Sequence, residues 1–136
     1  MKLVVYADGA SRGNPGPSSI GATVQDTTGI ELATVSQRIG RATNNQAEYR
    51  AAIEGVRKAR ELGATALELR MDSELVVRQL IGRYRVKNAA LLPLFTTLLA
   101  ELNDLGPYTV GHVPREKNAR ADALANAALD GKNLDA

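Results

Sequence analysis

The chain predicts an α/β fold: one mixed five-stranded sheet, three antiparallel strands and then parallel strands, with helices on both faces. Three observations lead there. Short β-branched or alternating segments open the chain and are joined by turns, which makes an antiparallel meander. Later strand-like segments alternate with helical stripes, and such crossovers make parallel neighbours. The 136 residues are 44% hydrophobic and 24% charged, an ordinary globular balance that argues against disorder.

Lys2 to Asp8 reads as a β-branched strand, and Gly9 to Ser19, rich in Gly, Pro and Ser, as a loop. Ile20 to Asp26 and Ile30 to Gln37 are strands around the turn Thr27-Thr28-Gly29. Thr43 and Gln46 have the spacing of a capping box. Glu48, Ala51, Ala52, Gly55, Ala59 and Leu62 then form one helical stripe that ends near Gly63. Ala66 to Asp72 alternates as a strand, and Ser73 to Leu80 is a short helix. Asn88 to Leu105 is a helix with Pro93 in its first turns, Tyr108 to Val113 a fifth strand, and Glu116 to Leu129 an Ala-rich last helix. Residues 1–130 form one predicted domain, and the polar residues 131–136 a flexible tail.

Composition removes several chemistries. With no Cys and a single His, His112, thiol nucleophiles, disulfides and iron–sulfur clusters are excluded, and the usual zinc ligand sets nearly so. A metal here is a hard cation on oxygen ligands. No stretch reads as a signal peptide or membrane span, so the expectation is a cytoplasmic monomer without a membrane partner. A net charge of +2 is a weak sign of a polyanionic partner.

Four of the 15 acids are placed unlike surface charges. Asp8 and Asp72 end predicted strands, at the edge of an open α/β sheet where ligands bind. On adjacent parallel strands their ends lie about 4.8 Å apart, so a proton or cation must separate them. Glu48 sits on the stripe of small residues that brings its helix close to the sheet. Asp122 lies between Ala121 and Ala123 in the last helix, again where close approach is allowed. Taken singly, each reads as a cap or an ion pair. Together, with no thiol or imidazole beside them, they point to Mg²⁺ or Mn²⁺, and two such ions suit phosphodiester hydrolysis.

These residues fall in four stretches that resemble ribonuclease H of type 1. They are Asp8-Gly9-Ala10-Ser11-Arg12-Gly13-Asn14-Pro15-Gly16-Pro17, Thr43-Asn44-Asn45-Gln46-Ala47-Glu48, Met71-Asp72-Ser73, and Asn118-Ala119-Arg120-Ala121-Asp122-Ala123-Leu124-Ala125. The resemblance covers nearly the whole chain and implies the ribonuclease H-like fold. It also implies cleavage of the RNA strand of an RNA–DNA hybrid, with 3′-hydroxyl and 5′-phosphate ends. Asp8, Glu48, Asp72 and Asp122 would be the catalytic tetrad holding two ions with substrate bound. Asn44 and Asn45, amides that both donate and accept, would read the RNA 2′-hydroxyl, with Glu74 in the minor groove. Asn14 and Thr43, with Arg41 beside them, would hold a DNA phosphate, and Arg12 is a further backbone candidate. A nucleic-acid-binding module without catalysis, or another polynucleotidyl-transfer nuclease of the same fold, is the alternative; the intact tetrad and the Asn44-Asn45 pair favour ribonuclease H.

One auxiliary position has two candidates. His112 precedes Asp122 by ten residues, as a mobile His does in many members. Pro114-Arg115-Glu116-Lys117-Asn118 matches members with a shorter loop, which makes Arg115 the preferred auxiliary residue and His112 a structural one. Arg78, Arg83, Arg85 and Lys87 form a basic run beside Tyr84 suited to phosphates, in place of the longer basic protrusion of some members.

Overall fold

A computed structural model describes residues 1–132. The elements are β1 (Lys2–Ser11), β2 (Gly16–Gln25), β3 (Glu31–Ala42), α1 (Asn44–Glu61), β4 (Ala66–Met71), α2 (Glu74–Leu80), α3 (Leu92–Leu105), β5 (Tyr108–His112), a 3-10 turn (Arg115–Lys117) and α4 (Ala119–Asp130). They form one sheet of order β3-β2-β1-β4-β5. β1 to β3 pair antiparallel, and β4 pairs parallel to both β1 and β5, as the alternation of segments predicts.

Alternation along the strands divides the two faces. Leu3, Val5 and Ala7, with Ile20, Ala22 and Val24, join one buried core with Tyr49, Ile53 and Val56 of α1 and Leu98 and Leu102 of α3. On the opposite face α4 packs on β2, where Ser19 Oγ donates to Ala125 O at 2.5 Å and Ser36 Oγ of β3 donates to Leu124 O at 2.7 Å. Gly21 makes that approach possible, because a Cβ there would overlap Ala121 O and Ala125 N. No helix among the described residues is long and apolar enough to cross a membrane.

Several boundaries differ from the sequence reading. The Gly9–Ser19 loop is mostly strand: pairing runs on from Asp8↔Gly21 to Ser11↔Ser18, leaving only residues 12–15 as the turn. Ladder hydrogen bonds need no side chain, so the small residues there pair readily. Pro17 has no N–H to offer, but its carbonyl accepts from Arg12 N at 2.8 Å. β3 likewise runs to Ala42 rather than Gln37, through a bulge near Ser18/Ser19. The helix expected from Asn88 starts at Leu92 with Pro93 in its first turn, because Asn88 Oδ1 holds the preceding bend by accepting from Ala90 N at 2.8 Å. α4 starts at Ala119 rather than Glu116, after the 3-10 turn. Gly131 and Lys132, expected in a tail, close α4: Gly131 is left-handed (φ 71°) and Lys132 N donates to Ala127 O at 2.8 Å. The rest of that expected tail lies outside the described residues.

Glu31 Oε1 and Oε2 accept from Arg120 at 2.9 and 3.0 Å, tying the start of β3 to α4. The Arg120 hydrogen bond holds Glu31 below its ordinary carboxyl range. A depressed folded value contributes stability above the unfolded value, about 4.3, which fades as pH falls through the folded one. Glu31→Gln should therefore flatten the acid limb of the stability–pH curve, measured by urea unfolding. Gly21→Ala should lower stability by roughly 1–3 kcal/mol through overpacking against α4, read as a lower urea midpoint at unchanged slope.

Candidate active site

The site forms where β1 and β4 part company. Their parallel pairing ends at Ala7↔Met71, but β1 continues beside β2 to Ser11. Asp8 is therefore not the end of its strand, as expected, but the first residue past the end of its neighbour. Asp72 follows the last residue of β4. The N-terminal turn of α1 delivers Glu48, and Gly9 lets it come: a Cβ there would overlap the Ala47–Glu48 backbone. Gly9 N donates to Glu48 Oε1 in a short hydrogen bond. The capping box Thr43–Gln46 fixes that turn, with both reciprocal bonds present.

One ligand oxygen each from Asp8, Glu48 and Asp72 lies within 4.8 Å of the others. Asp122 approaches Asp8 from α4, on the far side of the sheet, and stands outside that group of three. All four line a cleft of about 410 Å³, together with Ser73, Asn44, Arg115 and Asn126. Asp8 and Glu48 are buried. Burial pushes Asp8 up to about 10, and the neighbouring Glu48, Asp122 and Asp72 add to the rise. Burial also raises Glu48, to about 7, against hydrogen bonds from Asp8, Gly9 and Ser73 that favour its charged form. Without a cation, a proton must be shared between the two. The donor set is all carboxylate oxygen, which fits a hard divalent cation and no softer metal.

The structure separates the two auxiliary candidates. Arg115 lines the cleft and makes no ion pair among the described residues. His112 pairs with Met71 in the sheet and faces a different depression, of about 460 Å³, beside Val77, Arg78, Ile81 and Arg83. Among the substrate candidates, Asn14 and Asn44 meet: Asn44 N donates to Asn14 Oδ1 at 3.0 Å. Thr43 is occupied as the helix cap, with Asn45 half-buried after it. Arg12 forms an ion pair with Asp130 and shares a separate depression with Arg41 and Arg38. Glu74, in the first turn of α2, is ion-paired to Arg78 one turn on. Ser73 and Asn126, which line the cleft, were not singled out from sequence, and neither was Asn118, which donates to Asp72 Oδ1 at 3.3 Å. Asn118 and Ser73 lay inside the quoted stretches, and Asn126 is one helical turn beyond Asp122, the signal that could have flagged it.

The comparisons agree with this architecture. A family model described as reverse transcriptase-like matches residues 6–128. A bifunctional protein of Mycobacterium tuberculosis is 48% identical over 131 residues, covering 96% of this chain and 36% of that protein. The ribonuclease H of Lachnoclostridium phytofermentans is 34% identical, covering 98% of this chain and 96% of that one. The crystal structure of LC11-RNase H1 in complex with an RNA/DNA hybrid superposes with a TM-score of 0.90 at 41% identity, covering 95% of this chain and 97% of that one. The chain belongs to the ribonuclease H family. It spans about a third of the length of the mycobacterial relative, 36%.

Two full charges 4.8 Å apart repel by about 3 kcal/mol at an effective dielectric of about 20. Asp8→Asn should accordingly stabilise the metal-free protein by roughly 1–3 kcal/mol. The pH dependence follows in sign. A carboxyl whose folded value is raised keeps a proton that the unfolded chain releases near pH 4, so stability declines as pH rises above that point. Asp8→Asn should reduce that decline in thermal unfolding scans run in chelator, leaving the part that the raised Glu48 contributes.

Proposed function

We propose that the chain is an endoribonuclease that hydrolyses the RNA strand of RNA–DNA hybrids, leaving 3′-hydroxyl and 5′-phosphate ends. The observation that carries this reading is the convergence of Asp8, Glu48 and Asp72 in one cleft, with Asp122 beside Asp8, in a member of the ribonuclease H family. The hybrid bound to the LC11 relative supports the substrate.

Each residue then has a task. Asp8, Glu48, Asp72 and Asp122 would hold Mg²⁺ or Mn²⁺, two ions when substrate is present. Bound there, such ions supply the Lewis acid that activates water and stabilises the departing oxygen. Asn44 and Asn45, in the first turn of α1, bind the RNA 2′-hydroxyl through amides that donate and accept. Asn14, fixed by the Asn44 N–H, and Thr43 orient a phosphate of the DNA strand, with Arg41 and Arg12 as outlying cations. Glu74 borders the minor groove only by exchanging its Arg78 partner. Arg115 brings a guanidinium to the cleft and neutralises phosphate charge there. We also propose that the protein is cytoplasmic, in keeping with the lack of a described helix long and apolar enough to cross a membrane.

The test is cleavage of labelled hybrid, double-stranded RNA and double-stranded DNA with Mg²⁺ or Mn²⁺. Hybrid RNA should be cut, and Asp72→Asn should abolish the cut; hybrid left intact under both metals would sink the reading. Arg115→Ala should cost about 10²-fold or more in kcat, as loss of one charge-stabilising donor does, and His112→Ala far less. A larger loss for His112→Ala would reverse the assignment. Raising salt should raise KM steeply and change kcat little, because phosphate contacts release counterions.

A further inference from the structure

An Asn at a helix N-cap ordinarily spends its side-chain oxygen on a backbone N–H of the first turn. Asn118 stands at the N-cap of α4 and makes no such bond. Thr43 and Ser73, at the same position of α1 and α2, both make it. Asn118 is buried, and its Oδ1 has no hydrogen-bond partner. A forgone cap and an orphaned buried oxygen both cost stability, so the side chain must be held where it is by something else.

Its Nδ2 shows what. It donates to Ala7 O at 3.0 Å and to Asp72 Oδ1 at 3.3 Å. Ala7 precedes Asp8 and is the last residue of β1 paired with β4. Meanwhile Asp122 N donates to Asn118 O at 3.1 Å. One residue thus touches the strand that carries Asp8, the carboxylate of Asp72 and the turn that carries Asp122. Its chemistry suits the place. An amide N–H orients a carboxylate without adding charge, where a carboxylate would repel Asp72 and a cation would compete with a bound metal.

We propose that Asn118 is a positioning residue: its amide fixes the Asp72 carboxylate against β1 and α4, and so sets the spacing of the metal-binding cluster. The inference rests on the metal-dependent reading above, but its principal test does not need catalysis. Mn²⁺ binding to the intact protein is measured by titration calorimetry for Asn118→Ala and for the milder Asn118→Ser, which also removes the amide. Far-UV dichroism confirms the fold, and Asn118→Ser keeps the test alive if Asn118→Ala does not fold. Mn²⁺ affinity should fall about 10–100-fold, the usual effect of losing a partner that orients a ligand. On hybrid, kcat should fall with KM unchanged. In an Asp72→Ala background the same substitution should change Mn²⁺ affinity little, because its partner is gone. Wild-type Mn²⁺ affinity in a folded variant, or an equal loss in the Asp72→Ala background, would overturn the proposal and leave Asn118 a structural clamp. Wild type that binds Mn²⁺ yet leaves hybrid intact would instead overturn the ribonuclease reading, with the calorimetry still deciding Asn118.

Discussion

Like charges drawn into one cleft push apart, and the end of this sheet is built to hold them together. The device is a difference in strand length. β4 stops at Met71 while β1 continues to Ser11, so Asp8 has a strand on one side and open space on the other. Asp72 and Glu48 enter that space. Were β4 to continue pairing past Met71, its backbone would occupy the side of Asp8 from which the other carboxylates arrive. The repulsion is resisted by packing elsewhere, since none of the four carboxylates is ion-paired to a base among the described residues.

Small residues and buried polar pairs transmit that resistance. Gly9 and Gly21 bring α1 and α4 against opposite faces of the same two strands, which is how acids from both faces meet at one edge. Next to Glu48, Tyr49 is fully buried and donates its hydroxyl to Gln79 Oε1 at 2.5 Å. Burial raises that hydroxyl to about 12, so it stays a neutral donor. The bond ties α1 to α2, whose N-cap Ser73 lies between Asp72 and the helix. Movement of Glu48 relative to Asp72 therefore strains a buried hydrogen bond, and losing one partner of such a bond costs about 1–3 kcal/mol.

The sequence reading succeeds where one local rule decides the outcome. Hydrophobic period and turn signals found each helix and strand, though several ends moved, and the Thr43–Gln46 spacing marked the N-cap of α1. It failed where tertiary pairing overrides composition. Gly9 to Ser19 has the composition of a loop, yet the residues at either end of that stretch pair as strand because β3 and α4 hold β2 in place. The carboxylates were legible as a set, since strand ends and small-residue stripes predict convergence. Asn118 was not, because it fell inside the helix read from Glu116, whereas it stands at the N-cap of α4 with its side chain turned to Asp72. Glu74 and Arg12 were read as free to meet a ligand, and long side chains one turn apart or across a strand end found partners that no spacing rule ranks above solvent.

Charge needs the same local treatment. A net +2 describes a chain in which about half of the 17 bases are ion-paired: Arg57, Arg60 and Arg120 bridge elements, Arg70 pairs with Glu68 and donates to the Tyr6 hydroxyl of β1, and Arg78 both pairs with Glu74 and stacks 5.3 Å over Tyr84. Arg78 therefore drops out of the basic run read from sequence. Arg83, Arg85 and Lys87 remain exposed, with no ion pair among the described residues, and Arg115 remains at the cleft. A cleft of carboxylates repels a phosphate backbone, so a polyanion can approach only if cations surround the acids without sitting among them. Here the acids converge at the strand ends, Arg115 lines the same cleft, and Arg83, Arg85 and Lys87 lie outside its lining. Such an arrangement draws in a polyanion through exposed charges that salt screens within about 10 Å at 0.1 M, while the buried acids at the centre are screened much less. Salt sensitivity then belongs to binding rather than to the chemistry, and net charge is a poor guide to either.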